Sequence, residues 1–395
     1  MRGHIRKRGV KYEILLYEKY VNGTRDYSFH SGYESKKEAE DALLDILNDH
    51  RQGIRVPKNK MTTAQYLDRW LADYVAHNVT GGTESKYKPA ADLAKKIIGD
   101  IPLQKLGPLD IQHYVNEIKT YEKKDKATGK MIEKERAKST IVSYYNALKS
   151  AFNVAVKWQL IARNPCVNVI IPSVKKKPMV TYSKEEIKIL LEEVEDTVMF
   201  LPIFLVVNCG LRRGEVLGLT WKSIDLDNKV LRIQEAYTQS SRGVGMSELK
   251  TSGSYRAVDF SEAVKQELLM QKKFHEQLLE KKHGKVVDIK DMKKNMRDRK
   301  KELENTHVCT WEDGEPIRPG YVTSRYNEIL VKLDFDHSRF HDLRHTHATL
   351  LLQAGVHPKV VQERLGHSKI SITLDTYSHV IPSMQKEAAE MLNFS

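Results

Sequence analysis

Near the end of the chain, the eight residues FHDLRHTH at 340–347 gather three histidines and one arginine. If the segment is helical, His341 and Arg344 share a face at i, i+3, and His341 and His345 lie one turn apart at i, i+4. That histidine pair has a spacing that can hold zinc. A catalytic zinc would also need a third ligand and a carboxylate to activate water. His347 and Asp342 fall on other faces of such a helix, and Arg344, between the two rings, repels a dication. The segment therefore reads as an anion clamp or a structural cluster in preference to a metal site.

Three other stretches carry reactive groups. In NCGLRRGEVLGL, Arg212 follows a Gly-Leu pair at a helix junction, with Glu215 three residues on. A buried arginine needs a partner, so one reading is a structural Arg–Glu pair. The other is an arginine facing a phosphate, helped by nearby helix N-terminal amides. In ELKTSGSYRAV, Lys250 sits in a turn between two strand-like runs. It is either solvated or, if the turn reaches over a DNA strand, an ammonium able to protonate a leaving alkoxide. In LGHSKISITLDTYSH, His367 follows Leu-Gly at a turn and Tyr377 lies ten residues later. That tyrosine is either packed or a nucleophile, since a phenolate forms covalent intermediates.

Two arginines, two histidines, one lysine and one tyrosine, with no carboxylate cluster for Mg²⁺, suit metal-free phosphodiester chemistry. Phosphoryl transfer needs charge neutralised on the non-bridging oxygens. A planar guanidinium binds two of them at once. Tyrosine, with an ordinary pKa of about 10, must lose its proton as it attacks, and adjacent cations lower that cost.

The composition agrees with a polyanionic partner. Lys and Arg total 65 against 52 Asp and Glu, a formal net charge of +13 over 395 residues. A chain this long exceeds one ordinary core, so two or three domains are expected. Three distant cysteines, Cys166, Cys209 and Cys309, provide neither a disulfide framework nor a four-cysteine zinc site and fit a reducing cytoplasm. The longest apolar run, MFLPIFLVVNCG at 199–210, is the size of a core helix, not a membrane span. The charged start MRGHIRKRGV lacks the apolar stretch of a signal peptide.

These groups need a scaffold, and the periodicities predict a mainly α fold with small β-sheets (α+β). KYEILLYEKY, an NG turn at 22–23 and TRDYSFHSGY read as a hairpin, followed by a helix capped by Ser35 and Glu38. Its apolar stripe is Ala39, Ala42, Leu43, Ile46 and Leu47. The basic run HIRKRGVK fits either a protected edge strand or a sheet face that tracks DNA. Helical stripes follow at Leu67, Trp70, Leu71, Tyr74, Val75, at Ile111, Tyr114, Val115, Ile118 and at Tyr145, Leu148, Phe152, Ala155, Val156. Their aromatic residues read as core, not base-stacking platforms. A charged loop or hairpin turning near Gly129 lies between the last two stripes. Beyond the basic linker near 174–178, Ser183 and Glu186 cap another helix, and KVLRIQEAY and YRAVDF alternate like strands around a turn region, SRGVGMSELKTSGS. Residues 264–305 read as a long, charged, solvated helical stretch.

The order of GLRRGE, LKTSGSYR, HDLRHTHAT and LGHSKISITLDTYSHV resembles the tyrosine recombinase, or phage-integrase, family, and in wording comes nearest to integrases of conjugative transposons. The resemblance implies three domains: an arm-type DNA-binding module over 1–57 with a three-stranded sheet and a helix, a helical core-binding clamp over 60–173, and a mixed, mostly helical catalytic domain over 179–395 ending in a tail helix. It implies that Arg212 and Arg344 bind the scissile phosphate, with Glu215 orienting Arg212. Lys250 would be the general acid toward the 5′-oxygen, His341 an acid–base group, His367 a phosphate contact or aid to the base, and Tyr377 the nucleophile. No metal or cofactor is implied. The implied partners are double-stranded DNA, a homotetramer spanning two duplexes and an accessory excision factor, in a bacterial cytoplasm at the nucleoid. The tail face Met384, Ala388, Met391, Leu392 is expected to dock on a neighbouring subunit. Two competing functions are a type IB topoisomerase-like relaxing enzyme and a non-catalytic architectural DNA-binding protein.

Overall fold

A computed structural model describes residues 2–21, 24–51, 56–57, 59–125, 127–174, 179–249, 255–283 and 289–377. The chain divides into two compact units, Met1–Lys175 and Lys176–Ser395. The fold is mainly α with small sheets, as the periodicities predict.

The first unit begins with an antiparallel sheet of Arg2–Arg8, Lys11–Val21 and Thr24–Tyr33, ordered as in the sequence. The helix Lys36–Arg51 covers one face, burying Ile14 and Leu16 against Ala39. Ser35 caps it as predicted, its Oγ accepting the Glu38 N–H at 3.1 Å. The predicted NG turn lies outside the described residues. On the open face, Arg6 pairs with Glu13 at 2.8 Å and stands over the exposed Phe29 ring.

The helices Thr63–Arg69, Gly81–Ile98, Pro108–Glu117 and Lys138–Lys157 follow. The first runs on through a wider turn, Trp70–Val75. Leu67, Trp70, Ile111, Tyr114, Leu148 and Phe152 meet in one core. The aromatic stripes are core, and buried hydroxyls find acceptors: Tyr66 donates to the Ala151 carbonyl at 2.5 Å and Tyr145 to that of Cys166 at 2.6 Å.

The charged insert is a two-stranded ribbon, Thr120–Lys124 paired with Met131–Glu135, turning through Gly129 in the left-handed region. Directly opposed residues share a face of such a ribbon. Tyr121 faces Lys134 and Lys123 faces Ile132 on one side; Thr120 faces Glu135, Glu122 faces Glu133 and Lys124 faces Met131 on the other, where three glutamates outweigh one lysine. One face is thus basic and aromatic, the other acidic. Arg136 stands over the Tyr121 ring at 5.0 Å and extends the basic face.

The second unit packs the helices Lys184–Val194, Phe200–Cys209, Arg213–Leu217, Pro319–Lys332 and Asp342–Gln353 around a small sheet. The sheet order is Arg256–Asp259, Val230–Ile233, Ile224–Asp225. Leu205, Val206, Val216, Leu231, Val258 and Leu343 form its core. Ser183 and Glu186 form the predicted reciprocal cap. The region read as a turn holds a further hairpin, Glu235–Ser240 paired with Gly243–Glu248. Glycines at 243 and 245 hid the second strand, because they carry no side chain to show alternation.

The described residues of the charged 264–305 stretch lie in two helices, Glu262–His283 and Ile289–Asn305. Lys282 and His283 both reach Glu302, at 2.6 and 2.7 Å. The first helix is anchored by buried His275, which accepts from Trp221 Nε1 at 2.9 Å and lies 2.8 Å from Thr310 Oγ1. Burial lowers the His275 pKa to about 4, which keeps the ring neutral.

Candidate active site

The helix Phe200–Cys209 ends at Gly210, with φ +68°. A side chain there would be strained, and a Cβ would meet His347 Cδ2 at 2.6 Å. The helix Pro358–Leu365 ends in the same way at Gly366, with φ +66°. These two helix ends aim carbonyls at the candidate cations. Arg344, on the Asp342–Gln353 helix, donates to the Gly210 carbonyl at 2.7 Å and also to the Leu365 carbonyl. Arg212 donates to the Gly366 carbonyl at 3.4 Å. Helix C-termini carry partial negative charge, so both guanidinium groups sit where the backbone favours cations.

Glu215 lies between them. It accepts the Arg212 backbone N–H at 2.8 Å and its guanidinium at 2.6 Å. Arg256 grips it with two bonds, at 3.1 and 2.8 Å, and Arg344 lies 3.9 Å away. Burial alone would raise the Glu215 carboxyl, but Arg256, with Arg212 and Arg344, holds it down to about 2. Burial, reinforced by Arg212, lowers the Arg344 pKa to about 9, so it remains charged at neutral pH.

The sequence reading paired Glu215 with Arg212 and missed Arg256. A signal was present. In the strand Arg256–Asp259, residues 256 and 258 share a face, and Val258 is core. An inward arginine at 256 requires a buried carboxylate.

Arg212 remains about one-third exposed, whereas Arg344 is 1 % exposed. Arg212 and His367 line a cavity of about 580 Å³ whose walls include Thr238, Ser247 and Leu249. Lys250, next after Leu249, lies outside the described residues. His367 bonds Thr373 Oγ1 through Nδ1 at 2.9 Å. Burial, then Arg344 and Arg212, pushes its pKa down to about 4.

Tyr377 is the last described residue, at the end of the helix Ile370–Tyr377. Its ring is fully buried beside Ala348, Leu352, Val361 and Leu365, yet its hydroxyl is 2.7 Å from His345 Nδ1. Burial raises the phenol to about 12, against the opposing charge of Arg344. His341 occupies the position just before the helix carrying Arg344, and its ring stands perpendicular to that of His345, centroids 5.2 Å apart. His341 is pushed down to about 4, first by burial and then by His345, Arg344 and Arg212.

Among the other histidines and acids of the segment, His347 is 2.6 Å from the Val207 carbonyl through Nδ1 and accepts from Arg364 at 3.1 Å. Asp342 is held by Arg339 at 2.8 Å. Both belong to the frame. Among the described residues no group of three His, Cys, Asp or Glu side chains is placed to hold a metal ion. Nor is any helix long and apolar enough to cross a membrane.

Two guanidinium groups bridged by a carboxylate, with a phenol and several neutral imidazoles alongside, make a site for an anion and a nucleophile. Comparison with known proteins gives this site its family. The phage integrase family profile matches residues 180–384, and the profile of a phage integrase N-terminal SAM-like domain matches 62–119. The chain belongs to the phage integrase family of tyrosine recombinases. It is 28 % identical over 376 residues to the XerC-like tyrosine recombinase of Caldanaerobacter subterraneus, covering 91 % of this chain and 90 % of the relative. To the transposase from transposon Tn916 of Enterococcus faecalis it is 27 % identical, over 85 % of this chain and 78 % of the relative. Its fold matches the Tn1549 transposon integrase, solved in complex with a circular intermediate DNA, with TM-score 0.63 and 21 % identity, covering 84 % of this chain and 99 % of that one.

Proposed function

We propose that this chain is the integrase of a conjugative transposon, a site-specific tyrosine recombinase that cleaves and rejoins double-stranded DNA with Tyr377 as nucleophile. The observation that supports this reading is the gathering of Arg212 and Arg344 on the buried Glu215 and two helix ends, with His367 beside Arg212 in the cavity and the Tyr377 hydroxyl on His345, the residue after Arg344.

In this reading the Arg212 and Arg344 guanidinium groups neutralise the non-bridging oxygens of the scissile phosphate. Glu215 and the two carbonyl-bearing helix ends hold them in place. Tyr377 Oη attacks phosphorus, the 5′-oxygen leaves with a proton from Lys250, and a 3′-phosphotyrosine conserves the bond, so neither ATP nor a metal is required. A 5′-hydroxyl from the partner duplex reverses the step. Four protomers on two duplexes exchange strands in sequence through a Holliday junction, with an accessory factor biasing excision. Such an enzyme would work on the nucleoid in a bacterial cytoplasm.

The domain roles follow the same reading. Residues 1–57 bind arm-type DNA through the open sheet face of Arg6, Phe29 and their neighbours. Residues 60–173 clamp the core site, where the basic, aromatic ribbon face of Tyr121, Lys123 and Lys134 adds backbone contacts. Residues 179–395 perform the chemistry, and the tail docks on a neighbouring subunit.

The test is covalent trapping on a nicked suicide substrate. Wild-type protein is expected to form a protein–DNA adduct and Tyr377→Phe to form none while still binding. An adduct in the Phe variant would assign the nucleophile elsewhere. Recombination of two duplexes, run beside supercoil relaxation, separates strand exchange from a topoisomerase activity.

A further inference from the structure

A phenol attacks phosphorus only as its proton leaves, and Tyr377 is a poor candidate to lose one unaided. With its pKa pushed to about 12, roughly one molecule in 100,000 carries a phenolate at pH 7. A proton acceptor within hydrogen-bonding reach is therefore required. The family resemblance assigns acid–base chemistry to His341. The geometry selects a different ring. His345 Nδ1 stands 2.7 Å from Tyr377 Oη, whereas the His341 ring stands perpendicular to that of His345.

The surroundings of His345 suit an acceptor. Burial lowers its pKa, Arg344 and Arg339 act in the same direction, and Asp342 opposes them. In the tautomer that carries its hydrogen on Nε2, the neutral ring accepts the phenol's hydrogen bond on Nδ1. When the ring becomes an imidazolium, Asp342, one helical turn before it, is the nearby negative charge that offsets Arg344. The other titratable groups facing this ring are His341, His367 and Tyr377 itself. His345 also follows Arg344 directly on a rigid helix, so the acceptor and a phosphate-binding cation are placed by the same backbone.

We propose that His345 is a catalytic residue of this chain: its Nδ1 takes the Tyr377 hydroxyl proton during cleavage and returns it during rejoining. The step balances. As the Oη–P bond forms, the Oη proton moves to Nδ1. The P–O5′ bond breaks with its electron pair on the 5′-oxygen, which takes a proton from a separate donor. In the reverse step the incoming 5′-hydroxyl gives up its proton to that donor, and Nδ1–H reprotonates the departing phenolate. His341 is left to act through the His345 ring as a positioning residue. This assignment rests on Tyr377 being the nucleophile, as proposed above.

The decisive substrate carries sulfur in place of the bridging 5′-oxygen at the cleavage position. A thiolate leaves without a proton, so the rate of adduct formation reports the loss of the phenol's proton alone. Wild-type protein is expected to give a rate that rises with pH and levels off. His345→Asn, which keeps a polar group but accepts no proton at neutral pH, should be slower by roughly 100- to 10,000-fold at pH 7. Its rate should climb about tenfold per pH unit without levelling, since hydroxide then does the work. Added imidazole should restore part of the rate in His345→Ala. His341→Asn should keep the levelling profile. A His345→Asn protein that binds DNA and shows the wild-type profile would overturn the assignment, as would an equal loss at every pH, the mark of a structural role. If wild-type protein forms no adduct on this substrate, the recombinase reading fails, and this assignment with it.

Discussion

The site around Glu215 and the ribbon at 120–135 are both rich in charge, and they handle it in opposite ways. At Glu215, three arginines converge on one carboxylate that is 2 % exposed, with helix-end carbonyls taking up further donors of Arg212, Arg344 and Arg256. In the ribbon, both strands are exposed and the two faces differ in sign. Buried charge is costly unless paired, so the first arrangement specifies one geometry. Exposed charge contributes little to stability and stays available to a phosphate backbone. In the proposed enzyme, one region positions groups for chemistry and the other holds charge in reserve for binding.

The comparison can be broken at its buried end first. Replacing Glu215 with Gln strands three cations and is expected to cost about 3–5 kcal/mol, read as a fall in the urea midpoint. A loss below about 1 kcal/mol would mean that the carbonyls alone satisfy the arginines. Arg212→Lys keeps the charge but loses the planar fork. Adduct formation should drop roughly 100- to 1,000-fold with little change in unfolding.

Acid sharpens the same contrast. Glu215 is held below its ordinary value of 4.5, at about 2, so its contribution is complete above about pH 4.5 and lost as pH falls toward 2. That contribution is about 3 kcal/mol, and the Gln variant should lack this part of the pH dependence of the urea midpoint. The smallest effect belongs to the ribbon. Lys123→Ala with Lys134→Ala should leave stability within about 0.5 kcal/mol and reduce the salt slope of DNA binding by about 2. Glu122→Gln with Glu133→Gln, on the other face, should not reduce it. Equal effects from both faces would make the sidedness of the ribbon irrelevant to binding.

What could be read in advance follows from the same physics. Helix stripes such as Leu148 and Phe152, and the Ser183–Glu186 cap, are local patterns, and they appear where periodicity and capping place them. The main site residues came from motif order, because Arg212 and Tyr377 are linked by no local pattern. Arg256 was missed because its carboxylate partner lies 41 positions away in sequence. His345 was weighed only as a metal ligand, since its hydrogen bond to Tyr377 exists only once two helices are placed together. The strand Gly243–Glu248 escaped because a glycine-rich run has no side-chain alternation to read.

The glycines at 210 and 366 have an effect that reaches past their own turns. Each lets a helix stop abruptly, and the carbonyl at that stop meets one of the two arginines proposed to bind the phosphate. The spacing between the two cations is therefore written into main-chain geometry. An attempt to retune this centre for a different reaction by exchanging side chains alone would leave that spacing untouched. Changing it means rebuilding where two helices end.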